Sequence, residues 1–291
     1  MIALANYVMR GRLPALLVTV AGASSMMFCW ISAAVIALVT LRKGVGEGAW
    51  LLMWALLPAG FLLLYLGDSG PLAMLVGAMF LALILRSTVS LSLTVVGSVV
   101  IGVVTGLALL AFNSELLDQL VVLFAEFLGN LEQQLAQSDA QALEIVSPTA
   151  LQIAGILGTI SALSSVLCLL LARYWQAALY NPGGFGEEFR ALHLPPLYTA
   201  ALVLSALGLV ALGTEYRTWA TILMVPLSFA GLALVHARAN RGGQRTMWLA
   251  GFYLMWLLLD PVKLVVVVVA IADSWIGFRQ RWSKKADGGQ D

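Results

Sequence analysis

Leu13–Lys43 reads LPALLVTVAGASSMMFCWISAAVIALVTLRK. The stretch is apolar except at Ala21–Ser25, AGASS, with Arg10 and Arg12 before it and Arg42 and Lys43 at its end. Read as one membrane crossing, it leaves a basic cluster on each side. Read as a turn at AGASS, it puts both clusters on one side, as the excess of Lys and Arg in cytoplasmic loops favours. Each arm is then only about 10–16 residues, against the roughly 20 needed to span. A re-entrant pair, or a broken helix covered by neighbours, fits that length.

The rest of the chain supports a membrane setting. Of 291 residues, 61% are hydrophobic and 11% charged, and mean hydropathy is +0.94. A soluble domain carries about a quarter charged residues. Apolar runs recur along nearly the whole length, which describes a polytopic helical membrane protein. The alternation of a lipid-facing barrel is absent. Cys29 and Cys168 both sit inside apolar runs and read as small buried hydrophobes. Arg10, Arg12 and Ala21-Gly22-Ala23 resemble a signal peptide, but Pro14–Val20 is short and hydrophobic sequence resumes at Met26.

Outward from the first break, Trp50–Leu66 crosses, Gly67–Pro71 turns, Leu72–Leu85 returns to Arg86, and Thr88–Phe112 crosses again. Asn113–Val146 holds Glu115, Asp118, Glu126, Glu132, Asp139 and Glu144 and no Lys, Arg or His. A loop without bases is free to be translocated, so it belongs outside. Leu116, Leu120, Leu123, Phe127, Leu131 and Leu135 recur at helical spacing, making Ser114–Gln137 an amphipathic helix. Ser147-Pro148 is expected to cap and start the next helix. Thr149–Arg173 crosses inward, Leu197–Leu212 goes out, Gly213–Arg217 turns, and Trp219–Val235 returns with a kink at Pro226. Thr246–Gly277 is too long for one crossing, and Asp260-Pro261 divides it with a helix-start signal, Asp260 at the cap and Pro261 at the first position. These readings predict an all-α bundle of about eight to ten membrane segments, both termini cytoplasmic, with breaks at residues 21–25 and 260–261.

The whole chain, 1–291, reads as one integral membrane domain with three appended features. These are an acidic extracytoplasmic helix and loop at 113–147, a cytoplasmic loop with an interfacial helix at 174–196, and a basic cytoplasmic tail at 279–291. In the 174–196 loop, Asn181, Pro182, Gly183 and Gly184 form a turn, and Gly186–Leu194 is a short amphipathic helix carrying Glu187 and Arg190. Phe185, Phe189 and Leu192 share one face. The loop reads as an elbow joining two membrane halves.

Three short passages, YNPGGFGEEFRALHLPP at Tyr180–Pro196, LVTLRKGVGEG at Leu38–Gly48 and ADSWIGFRQRW at Ala272–Trp282, resemble the YybS-like family of uncharacterised bacterial inner-membrane proteins. The acidic segment has no counterpart in that resemblance. The family is grouped distantly with the substrate-binding S components of energy-coupling-factor transporters. That grouping implies an all-helical fold, a small-molecule cavity and an energising membrane partner. It implies no catalytic residues.

Candidate site residues come from polar groups in apolar surroundings. Thr19, Ser24 and Ser25 surround the first break, where they either bind a ligand or ion or satisfy freed backbone groups. Asp260 and Lys263 lie one turn apart beside Pro261, as an interfacial pair or as ligand contacts. Asp273 precedes Arg279 and Arg281, and a local ion pair is expected. Gly102 and Gly106, with the row Ala150, Ala154, Gly158 and Ala162, mark helix packing or a docking face. No metal, nucleophile or phosphate-loop motif is present, so neither an enzyme nor a cofactor is expected. The net charge of +1 says nothing about nucleic acid, and no nucleic-acid partner is expected. Two functions remain: small-molecule binding tied to transport in a bacterial inner membrane, or a scaffold or accessory subunit without its own substrate.

Overall fold

The computed structural model describes residues 1–136, 147–279 and 281–282, and these are helical apart from turns. The elements are α1 (Ile2–Met9), α2 (Arg12–Ala23), α3 (Cys29–Lys43), α4 (Val45–Leu66), α5 (Gly70–Thr88), α6 (Leu91–Phe112) and α7 (Ser114–Ala136). After the acidic segment come α8 (Ala150–Tyr180), α9 (Gly184–Ala191), α10 (Pro196–Ala211), a single 3-10 turn at Thr214–Tyr216, α11 (Arg217–Ala239), α12 (Arg245–Leu258) and α13 (Asp260–Ile276).

α2 and α3 form an antiparallel hairpin that turns at the AGASS break. The Ser32 hydroxyl donates to the Thr19 carbonyl at 2.7 Å. Ala15 and Val39 line one small space together with Arg12, Lys43 and Glu47, and Arg12 forms an ion pair with Glu47. The basic residues that flank the hairpin therefore share an end. Its arms have 12 and 15 residues, about 18 and 22 Å at 1.5 Å per residue, short of the roughly 30 Å hydrocarbon core.

The bundle packs around α3. Ala33 through Val39 are all at most 2% exposed, and α2, α4, α5 and α8 surround them. A helix that is apolar on every side must be kept from water, here by enclosure among its neighbours. Arg86 on α5 donates to the carbonyls of Thr40 and Leu41, at 3.2 and 2.8 Å. It thus satisfies acceptors at the C-terminus of α3, where a cation also suits the helix dipole.

Five helical stretches are long and apolar enough to cross a membrane: 45–66, 70–88, 91–112, 150–180 and 214–239. Two bent pairs, α9–α10 at 62° and α12–α13 at 115°, raise the number to at most seven. Counted arm by arm, the apolar helices α2–α6, α8 and α10–α13 number ten, in line with the expected eight to ten segments. Every expected apolar segment is a helix, but α2 and α3 are too short to count as spans. The bend of 115° exceeds a right angle, so α13 turns back toward the end from which α12 departs. Arg241, just before α12, lies 5.5 Å from the ring of Trp282, just after α13. The run 246–277 therefore goes out and comes back.

Two expected caps move. Thr149, not Ser147, caps α8, because Thr149 and Gln152 exchange hydrogen bonds in a capping box. Asp260 does not cap α13: Leu259 holds the cap position, and the Asp260 carboxylate accepts from Lys263 at 2.7 Å instead. α11 continues as one helix on both sides of Pro226.

α7 matches the expected amphipathic helix. Leu117 is buried beside α6 and α8, with Leu116, Leu120 and Val121 packed around it. Further along, Val122, Leu123, Phe124 and Phe127 are exposed. The remainder of the acidic loop, 137–146, and the tail beyond Trp282 lie outside the described residues, as does Gln280.

Candidate functional site

Side-chain contacts sort the loops onto opposite ends of the bundle. At one end Arg12 pairs with Glu47, and the Arg42 guanidinium stands 4.1 Å from the Tyr180 ring centroid. There too the Ser92 hydroxyl donates to the His193 carbonyl at 2.6 Å, and Arg279 donates to the Leu192 carbonyl at 2.8 Å. At the other end Asn113 donates to the Gly67 carbonyl at 3.0 Å, and the Thr149 hydroxyl donates to Glu215 at 2.5 Å. The first end collects the arginine-rich segments. The second holds Asp68, Glu215 and the acidic start of α7. Ile2 lies near Arg190 and Arg245 at the basic end, and Arg279 reaches the same elbow, so both termini lead into one face.

The elbow at the basic end is built by local rules. α8 ends at Tyr180, and Gly183 takes φ +91°, a conformation that side chains with a Cβ resist. A Cβ on Gly184 would lie 2.3 Å from the side-chain Nδ2 of Asn181, so a larger residue there would displace the Asn181 side chain. α9 then lies against α8 and α11. Arg173 on α8 pairs with Glu188 on α9. Phe185 meets Tyr174 edge-on at 6.0 Å and stacks on Phe189 at 6.0 Å. The ring contacts continue from Phe189 to His236 at 5.5 Å and from His236 to Tyr253 at 5.9 Å. A 2.8 Å hydrogen bond joins His236 Nε2 to the Tyr253 hydroxyl. Leu192 and Leu194, each 2% exposed, anchor the far side of the elbow in the core.

The C-terminal segment fastens to the same place. Asp273 is buried and pairs with Arg279 at 2.9 Å, while its other oxygen accepts from the Phe278 amide at 2.9 Å. Burial lowers the Arg279 guanidinium from its ordinary pKa, and the Asp273 carboxylate opposes that shift.

Under α9 lies a chamber of about 830 Å³. Leu170, Ala177, Phe185, Phe189 and Ile2 give it an apolar wall, and Arg190, Arg245, His236 and Glu187 bring charge and hydrogen-bonding capacity. A second space of about 330 Å³ shares Glu187 and Arg190 and adds Arg241, Arg279 and Trp282. On the far side of the bundle, a cavity of about 470 Å³ between α4, α5 and α6 is lined almost wholly by apolar groups, with Ser69, Thr105 and Asn113 as its polar members. Among the described residues, no group of three or more His, Cys, Asp or Glu is placed to hold a metal ion.

The residues singled out from sequence fall in four places. Thr19 is buried and its hydroxyl lacks a partner, Ser24 is exposed, and Ser25 is half-buried. Asp260 and Lys263 form an exposed ion pair, with Asp260 90% accessible. The two groups do not meet, and neither lines the chamber. The small-residue rows face each other. A Cβ on Gly102 would lie 2.9 Å from the Gly158 carbonyl, and one on Gly106 would lie 3.1 Å from the Ala154 carbonyl. Ala162 sits against Gly102, and Ala150 packs nearby in the same cluster. The elbow residues Pro182, Gly183, Glu187 and Arg190 do line the chamber. Sequence reasoning missed Tyr174, His236, Arg245 and Tyr253. The available signal was a histidine opening an arginine-rich loop, with aromatic residues at helical spacing on either side of the elbow.

Comparison with protein-family models, with curated proteins and with solved structures returns no match.

Proposed function

We propose that this chain is an integral membrane protein that binds a small molecule in the chamber under α9, at the cytoplasmic end of a bacterial inner-membrane bundle. The cytoplasmic assignment follows from the arginines collected at that end. The observation that carries the proposal is convergence. The passages 38–48, 180–196 and 272–282, which carry the resemblance to the YybS-like family, meet through Arg42 on Tyr180 and Arg279 on the Leu192 carbonyl. They meet beside a chamber of about 830 Å³, a size that suits small-molecule ligands.

A role of the S-component kind is consistent with this chamber, with transport supplied by motion and an energising partner rather than by a standing pore. Ala33–Val39 on α3 are enclosed by neighbouring helices. No catalytic step is assigned. The experiment is a ligand-dependent thermal shift of purified protein against a metabolite panel, with Ala178→Trp to fill the chamber. At least one compound should stabilise the wild type and not the variant. Stabilisation by none, or equal stabilisation of both, would overturn the proposal.

The scaffold reading keeps one supporting observation: Val122, Leu123, Phe124 and Phe127 leave an apolar face of α7 uncovered. Pull-down from native membranes should then return a stoichiometric partner that Leu123→Glu with Phe127→Glu removes.

A further inference from the structure

Resting on the chamber as the binding site, we infer that its ligand is an anionic headgroup, phosphate-like, carried on an apolar body. The charges on the chamber wall do not balance. Arg190 and Arg245 face it with His236, and Glu187 is the one carboxylate that lines it among the described residues. The neighbouring acids are engaged: Glu188 pairs with Arg173, and Asp273 pairs with Arg279.

Arg190 makes no ion pair or hydrogen bond among the described residues, although it is half-buried. A Cβ on Gly186 would lie 3.0 Å from Arg190 Nη1, so the guanidinium folds back over the bare backbone of α9. Arg245 donates only to the neutral Asn240 side chain, at 3.1 Å. A partly desolvated guanidinium with no counter-charge is costly, and a bidentate anion is the partner its planar fork fits best.

The rest of the wall selects the ligand's other half. Ile2, which is exposed, and the half-buried Phe185 and Phe189 would stay in contact with water if a bare inorganic anion were bound. An apolar tail covers them, and at about 25 cal/mol per Å² that burial adds affinity a free phosphate lacks. The headgroup chemistry is shared by soluble organic phosphates and by anionic phospholipids.

The test uses full-length protein in phosphatidylcholine nanodiscs, titrated calorimetrically with hexyl phosphate, hexanol and inorganic phosphate. Hexyl phosphate should bind saturably and at least about tenfold more tightly than either control, since one charged hydrogen bond is worth about 1.5 kcal/mol or more. Arg190→Gln should weaken hexyl phosphate by about tenfold and leave hexanol unchanged, while Arg190→Lys should lose less. Unchanged melting of each variant without probe keeps the comparison interpretable. Competition by phosphatidylglycerol added to the nanodisc identifies the lipid as the source, and no competition identifies a soluble ligand; both outcomes support the shared chemistry. Equal binding of hexanol and hexyl phosphate, both insensitive to Arg190→Gln but abolished by Ala178→Trp, overturns this inference and leaves the chamber standing. Binding by no probe that Ala178→Trp removes overturns both.

Discussion

Gly102 and Gly158 bring α6 and α8 together backbone to backbone. A Cβ on Gly158 would lie 2.5 Å from the Gly102 carbonyl, a separation real side chains do not tolerate. Gly158→Ala should therefore cost about 1–3 kcal/mol, read as a lower melting temperature in detergent. Gly60→Ala on α4, where a Cβ meets open space, should change stability by less than about 1 kcal/mol. A second residue-scale expectation concerns Arg279. Removing it in Arg279→Met leaves Asp273, 8% exposed, without its counter-charge. The loss should be about 3–5 kcal/mol. Asp273→Asn in the same chain should recover part of it, and a double-mutant cycle by thermal melting measures the coupling. Sequence reasoning named the Asp273 pair because the partners lie within two helical turns. It misplaced Asp260 and Ser147 as caps because a local competitor won in each case: Lys263 took the carboxylate, and Gln152 completed the box at Thr149.

At the scale of elements, the elbow is the part the account leans on. Gly183 holds φ +91°, so Gly183→Val should strain the turn by about 1–3 kcal/mol. α9 should then detach, seen as faster hydrogen exchange over Gly184–Ala191, while exchange in α3 stays slow. Unchanged protection of α9 would contradict the elbow. This element was legible because Asn-Pro-Gly-Gly is turn chemistry and Pro195-Pro196 stops the helix that follows. The hairpin of α2 and α3 was legible from charge alone. Its centrality was not, since a fully apolar helix at the protein core and one facing lipid have the same composition. α12 illustrates the contrast: it is as apolar as α3 yet has no buried residue. The missed residues of the ring row, two lining the chamber and Tyr253 bonded to one of them, show the same limit. Tyr174, His236 and Tyr253 are far apart in the chain, and only the packing of α8, α11 and α12 brings their rings into one row.

At the scale of the whole molecule, the bundle has chemically opposite ends. The basic end gathers Arg42, Arg86, Arg173, Arg190, Arg241 and Arg279, and the opposite end holds Asp68, Glu215 and α7. The positive-inside rule turned that separation into an expected topology before any contact was known. The contacts then explain the separation, because the motif-bearing segments must meet to form the elbow. The most direct measurement is cysteine accessibility in a Cys29→Ser, Cys168→Ser background, possible because both native thiols are buried and free. Single cysteines at Gly46 and Gly242 report the basic end, and those at Gln119 and Thr214 report the acidic end; all four positions are exposed. In bacterial spheroplasts, a membrane-impermeant maleimide should label Gln119→Cys and Thr214→Cys, and should label Gly46→Cys and Gly242→Cys only in inverted vesicles. Labelling of Gly46→Cys and Gly242→Cys from opposite sides, or of either from outside, would contradict a single cytoplasmic end that holds the chamber.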